Sequence, residues 1–259
     1  RQSTATALGN YRSTHTPQVV SYTAPTGAGK TIVMSALIED IYYGNELYPE
    51  QPEAIFIWLS DSPQLNEQSR LKIDLKADKI RLNQCVVISD DAFDMEMLED
   101  GNIYFLNTQK LSKSSNLTKH SDGRQYTIWE TISNTVREKG DRLYFIIDEA
   151  HRGAHSAKDL TKNTTIMQKF LKGSEADRLP PMPVVIGMTA TPQRFNRLAE
   201  GIQSTTHYVR TTADEVRASG LLKDRIIITY PEHSGNDMAV LQAATDEWQQ
   251  KCQHWYQYC

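Results

Sequence analysis

Six short runs of this chain are almost continuously apolar: Val19–Thr23, Ala54–Ser60, Cys85–Ser89, Ile103–Asn107, Leu143–Asp148 and Val184–Thr189. A strand covered on one face alternates apolar and polar residues, whereas an unbroken run is the mark of a strand covered on both. Between the runs, apolar residues recur at helical spacing over Thr31–Tyr43, Gln64–Leu75 and Ile128–Lys139. Strands alternating with helices predict an α/β fold, a mostly parallel sheet with helices on both faces. Such sheets bind ligands beyond the C-terminal ends of their strands. Lys110–Gln125, His151–Thr165 and Gly173–Pro183 are polar or proline-punctuated and read as loops.

The pattern changes after residue 210. Thr211–Ser219 reads as a short helix stopped by Gly220, and Ile226-Ile227-Ile228 as the centre of a strand. From Asp237 onward Met238, Leu241, Ala244, Trp248, Cys252, Trp255 and Cys259 recur at helical spacing, predicting an amphipathic helix whose apolar face needs a partner. The expected organisation is one α/β domain over 1–210, followed over 211–259 by a bridge strand and an amphipathic helix that lead to a second domain or an insertion. The chain starts at Arg1 and stops within a helical pattern, and is read as a piece of a longer protein.

Composition narrows the classes. Hydrophobic residues are 39% and charged residues 23% of the 259, ordinary values for a globular chain. The net charge of −4 excludes a globally basic field, so any nucleic-acid contact must come from a local surface. No apolar run approaches the ~18 residues of a membrane span. The cysteines, Cys85, Cys252 and Cys259, are few and odd in number, which suits a reducing cytoplasm. Cys252, His254 and Cys259 lack a second Cys/His pair to complete a four-ligand metal site and read as part of the helix.

Two motifs carry chemistry. Ala24-Pro25-Thr26-Gly27-Ala28-Gly29-Lys30-Thr31 lies between a strand and a helix and fits the phosphate-binding loop G-x-x-x-x-G-K-[ST], with Ala24 in place of the first glycine. Gly27 and Gly29 can turn successive N–H groups of Thr26, Gly27, Ala28 and Gly29 inward around a phosphate, and the following helix offers its positive end. Lys30 adds a cation, and the Thr31 hydroxyl is placed to ligate Mg²⁺. The second motif is the apolar run into Asp148-Glu149. A buried strand ending in two carboxylates is costly without a cation, which Mg²⁺–nucleotide supplies. Asp148 would hold the metal through water, and Glu149 would orient and deprotonate the attacking water.

Asp148-Glu149-Ala150-His151 resembles motif II of the superfamily 2 helicases and translocases in its DEAH variety, and Arg152 extends it as in motor subunits of type I and type III restriction enzymes. Val185-Ile186-Gly187-Met188-Thr189-Ala190-Thr191-Pro192 is similar to motif III, and Ile57–Gln68 to motif Ia of the type III restriction family. Tyr104–Leu111 stands where a further nucleic-acid motif is expected. The resemblance covers about residues 1 to 230. It implies a RecA-like first motor domain using ATP and Mg²⁺. In it Lys30, Thr31, Asp148 and Glu149 hydrolyse, and His151, Thr189 and Thr191 couple nucleotide to nucleic-acid grip. Ser60, Ser62, Gln68, Thr108 and Gln109 would face the nucleic-acid backbone. Gln2 stands where the family often reads adenine, and Lys113, Lys119, Arg124, Arg194 and Arg197 are further cationic candidates. The partners implied are nucleic acid, DNA ahead of RNA, a second RecA-like domain in the same polypeptide, and modification or nuclease subunits. The function expected is a DNA helicase or translocase in a restriction or phage-defence setting of the prokaryotic cytosol. An ATP-dependent nucleic-acid switch without unwinding and a DEAH-type RNA helicase are the alternatives.

Overall fold

A computed structural model describes residues 1–89, 93–112, 114–148, 166–191, 195, 204–220 and 237–256. Lys113, Glu149, His151, Arg194, Arg197 and Cys259, with the strand expected at 226–228 and the loop at 151–165, lie outside the described residues. The chain divides into two compact units, Arg1–Leu222 and Lys223–Cys259.

Among the described residues the first unit is built on seven strands: β1 (Gln18–Thr23), β2 (Ile55–Ser60), β3 (Cys85–Val87), β4 (Ile103–Asn107), β5 (Leu143–Asp148), β6 (Val184–Thr189) and β7 (Thr205–Arg210). They form one sheet in the order β3-β4-β2-β5-β6-β1-β7, every pairing parallel. The apolar runs are central because both faces are covered. Along β5, Leu143, Phe145 and Ile147 enter one core while Tyr144 and Ile146 enter the other; along β2, Ile55, Ile57 and Leu59 part from Phe56 and Trp58 in the same way.

Helices α1 (Gln2–Thr14), α2 (Lys30–Tyr43) and α3 (Pro63–Lys76) serve one face, burying Leu8, Met34, Ile38 and Ile73. Helix α4 (Ile128–Lys139) and the helical residues 166–172 serve the other through Trp129, Ile132, Met167 and Phe170. α4 begins on a reciprocal cap, the Thr127 hydroxyl accepting from the Glu130 N–H and the Glu130 carboxylate accepting from the Thr127 N–H. Helix α5 (Ala213–Ala218) starts on the same device at Thr212 and Glu215, and its Val216 is buried in the core of the first unit.

Among the described residues, α1, the helical residues 166–172 and β7 were not expected. α1 is polar along most of its length and buries only Thr4, Ala7 and Leu8, so it has no apolar stripe to read. β7 is an edge strand, half exposed and without an apolar run, held by its register with β1 from Gln18↔Thr205 to Thr23↔Arg210. At the other edge the expected run Cys85–Ser89 shortens to Cys85–Val87. In the second unit the predicted amphipathic helix is α6 (Asp237–Tyr256), none of whose residues is buried; Met238, Leu241, Trp248 and Trp255 are exposed. No described helix is long and apolar enough to cross a membrane.

Candidate functional site

The turn after β1 is shaped by two glycines. Gly27 and Gly29 have φ of 83° and 74°, the left-handed region that side-chain-bearing residues rarely adopt. Gly29 is the N-cap of α2, so the loop runs straight into the positive end of that helix. The Ala28 N–H donates to the Pro25 carbonyl (3.2 Å), closing the turn. Lys30 is only 7% exposed and its Nζ donates to the carbonyls of Ala24 (3.4 Å) and Pro25 (3.3 Å), within its own loop. Ala24, where a glycine is usual, is buried, and its N–H donates to the Thr189 carbonyl (3.2 Å). The loop is thereby tied to the end of β6.

The sheet order places the ends of β1, β6 and β5 side by side. Asp148 closes β5 opposite Met188 of β6, and Thr189 follows, opposite Thr23 of β1. One cavity of about 410 Å³ is walled by Gly27, Gly29, Lys30 and Thr31 from the loop, by Asp148, and by Lys72 and Lys76 from α3. A hydroxyl and a carboxylate in one cavity with a lysine and a helix N-terminus form a donor set that fits Mg²⁺ with a polyphosphate. The Ser69 hydroxyl, on α3, donates to Asp148 Oδ2 (3.2 Å). In the β6 turn the Thr191 N–H donates to Thr189 Oγ1 (2.9 Å), and the two hydroxyl oxygens are 3.4 Å apart.

Lys30, Thr31 and Asp148 are therefore brought together, with Thr189 bonded to the root of the loop. Gln2 is not. Arg1 pairs with Asp40 (3.0 Å) and donates to the Pro49 carbonyl, so α1 starts beside the C-terminal half of α2. Asp40 lies about 15 Å along that helix from Lys30 at the usual rise per residue.

The residues expected to face nucleic acid divide by burial. The Ser60 hydroxyl is buried and donates to the Ser62 carbonyl (2.9 Å); Thr108 is buried and donates to the Asp61 carbonyl (3.2 Å) and carboxylate (3.4 Å). The Ser62 hydroxyl accepts from the Leu65 N–H as the N-cap of α3. Gln68 and Gln109 are exposed. Lys119 is exposed as well, but Arg124 is buried, its guanidinium donating to the carbonyls of Phe93 and Asn116. Arg124 thus pins two loop segments and is corrected from a cationic contact to a structural one. Among the described residues no group of acidic, His or Cys side chains is arranged to hold a metal on its own, Cys252 and His254 included.

Ser69, Lys72 and Lys76 were missed. Their signal was present, since Ser69 follows Ser62 by two helical turns and Lys72 and Lys76 continue along α3 at spacings of three and four.

One solved structure, of the DUF1998 helicase MrfA bound to DNA, is similar at 15% identity and a TM-score of 0.42, over 79% of this chain and 26% of that one. Among the curated proteins none matches. The family described as "Type III restriction enzyme, res subunit" matches residues 3–194, well over half of the chain. The phosphate loop, the carboxylate ending β5 and the Thr189–Thr191 turn all lie inside that span, and the chain belongs to this family as a helicase-type ATPase motor domain.

Proposed function

We propose that the chain is the first RecA-like motor domain of a DNA helicase or translocase that binds ATP with Mg²⁺ and works in a restriction or phage-defence system. The observation that carries this reading is the single cavity joining Lys30, Thr31 and Asp148 at the ends of adjacent strands. Lys30 and the loop N–H groups hold the phosphates, and Thr31 and Asp148 hold the metal, Asp148 through water. The metal neutralises charge on the transferring phosphoryl group. Glu149, next in sequence to Asp148, activates the attacking water, and His151 with Thr189 and Thr191 couples the nucleotide to nucleic-acid grip. The hydrogen bond from Ala24 to Thr189 supports this coupling, because it joins the phosphate loop to the turn that would sense it. Gln68 and Gln109 are the exposed amides offered to a phosphate backbone, a contact that positions without reading bases. DNA is favoured over RNA by the family's description as a restriction-enzyme subunit.

The test uses the complete polypeptide. ATP-dependent displacement of a triplex strand or a duplex is expected, and Lys30→Ala and Glu149→Gln should each abolish it. Binding of ATP and nucleic acid with no displacement would overturn the motor in favour of a switch. Displacement of RNA duplexes alone would overturn the choice of DNA.

A further inference from the structure

Helix α3 has its phase fixed at two points. Ile73 is buried in the core of the sheet, and the Ser69 hydroxyl donates to Asp148 Oδ2. Lys72 and Lys76 follow Ser69 at spacings of three and four, along one stripe of the helix, and both line the cavity that Lys30, Thr31 and Asp148 share. The carboxylates of α3 lie elsewhere. Neither Glu67 nor Asp74 lines the cavity, and Glu67 is paired with Arg70 (2.6 Å). Lys72 and Lys76 are exposed, and among the described residues neither ammonium has an ion-pair or hydrogen-bond partner. Lys76 stands in the last turn of α3, where a cation offsets the negative end of the helix; Lys72, a turn earlier, gains less from that end.

We propose that Lys72 and Lys76 are phosphate-binding residues that hold the β- and γ-phosphates of the nucleotide from α3, a second wall of the cavity, and make the domain favour a nucleoside triphosphate over a diphosphate. This rests on reading the Lys30–Asp148 cavity as a Mg²⁺–nucleotide site. In such a site the metal bridges the β- and γ-oxygens, so a side chain that shares the cavity with Thr31 and Asp148 meets that end of the nucleotide. A triphosphate and the Asp148 carboxylate together bring more negative charge than Mg²⁺ and Lys30 neutralise. Two further ammonium groups reduce the excess, and their attraction falls when the γ-phosphate and its charge are lost. The residue type suits the task, since a lysine is a compact point charge on a flexible stem that can follow a phosphate without a fixed geometry.

Binding by the full chain tests the proposal without reference to turnover. Affinities for a fluorescent ATP analogue and for the matching ADP analogue are measured with Mg²⁺ at low and at high salt. Exposed charge pairs are weak, so Lys72→Ala and Lys76→Ala should each weaken the ATP analogue about threefold and the double variant about tenfold. The ADP analogue should lose distinctly less. Lys72→Arg and Lys76→Arg, which keep the charge, should retain most of the affinity. Salt screens the contribution of these exposed groups, so the affinity of the double variant for the ATP analogue should depend less on salt than that of the wild type. Each lysine is judged by its own single variant. Unchanged affinity for the ATP analogue overturns the assignment, as does an equal loss for both analogues. A lowered Tm with unchanged affinity means that the lysine serves only the helix end, and overturns it too. Lys30→Ala separates the two levels. It should weaken both analogues, and wild-type affinity there would mean that the phosphate-loop reading has failed, and the role of α3 with it.

Discussion

The ammonium of Lys30 rests on the carbonyls of its own loop, so a phosphate must replace those contacts to gain the lysine. Hydrogen bonds to charged groups are worth about 1.5–3 kcal/mol, so Lys30→Ala should weaken nucleotide binding by roughly one to two orders of magnitude, measurable by titration of the analogue. Cys85 gives a pH prediction of known sign. Burial pushes its thiol up to about 11, so it is protonated at neutral pH and its nucleophilic thiolate forms only as pH rises toward that value. Maleimide labelling at pH 7.5 followed by peptide mapping should leave Cys85 largely unmodified, and labelling at that site should climb steeply above pH 9. That Lys30, Thr31 and Asp148 would meet in one place was legible in the sequence, because each stands in a motif at the end of an apolar run. The contacts of Ser69 and Arg124 were not, for a common reason: they depend on what a side chain reaches in space. A polar residue on a helix or in a loop has many innocuous explanations until its partner is known.

Elements were legible in proportion to the apolar surface they bury. The five longer buried strands lie within a residue of the runs that announce them, and α4 begins on the cap its sequence spells. α1 and β7 escaped because they sit at the margin and hold few apolar residues. β6 contains a sharper constraint. The ring of Phe195 lies against Gly187, where a methyl group would overlap it, and both belong to the packing behind the Thr189 turn. Overpacking of a tight core costs about 1–3 kcal/mol. Gly187→Ala should therefore lower Tm by several degrees, while Gly187→Ala combined with Phe195→Leu should recover part of the loss, as thermal denaturation can show. The cap of α4 offers a smaller test: Thr127→Ala should cost about 1 kcal/mol in urea unfolding without changing nucleotide affinity.

Across the molecule, the order β5-β6-β1 is what turns separate motifs into a site, because it sets Asp148, Thr189 and the phosphate loop at one edge of a single sheet. The alternation of runs predicted such a sheet, but which strands are neighbours is a matter of topology that no local pattern contains. In the motor proposed above, an arginine that stabilises the transferring phosphoryl group would come from a second RecA-like domain. The present chain by itself should therefore bind nucleotide and hydrolyse it slowly, with little stimulation by DNA. A steady-state phosphate-release assay with and without duplex checks this, and brisk DNA-stimulated release would refute it. The strand β1 is clasped from both sides at its upper end: the Ala24 N–H bonds to Thr189, and the Thr211 N–H, just beyond β7, bonds to the Thr23 carbonyl (2.8 Å). A pull on the backbone leaving β7 thus meets a hydrogen bond to the residue just before the Ala24–Thr31 loop. Parallel strands in register meet such a load in shear, with the rungs from Gln18↔Thr205 to Thr23↔Arg210 sharing it.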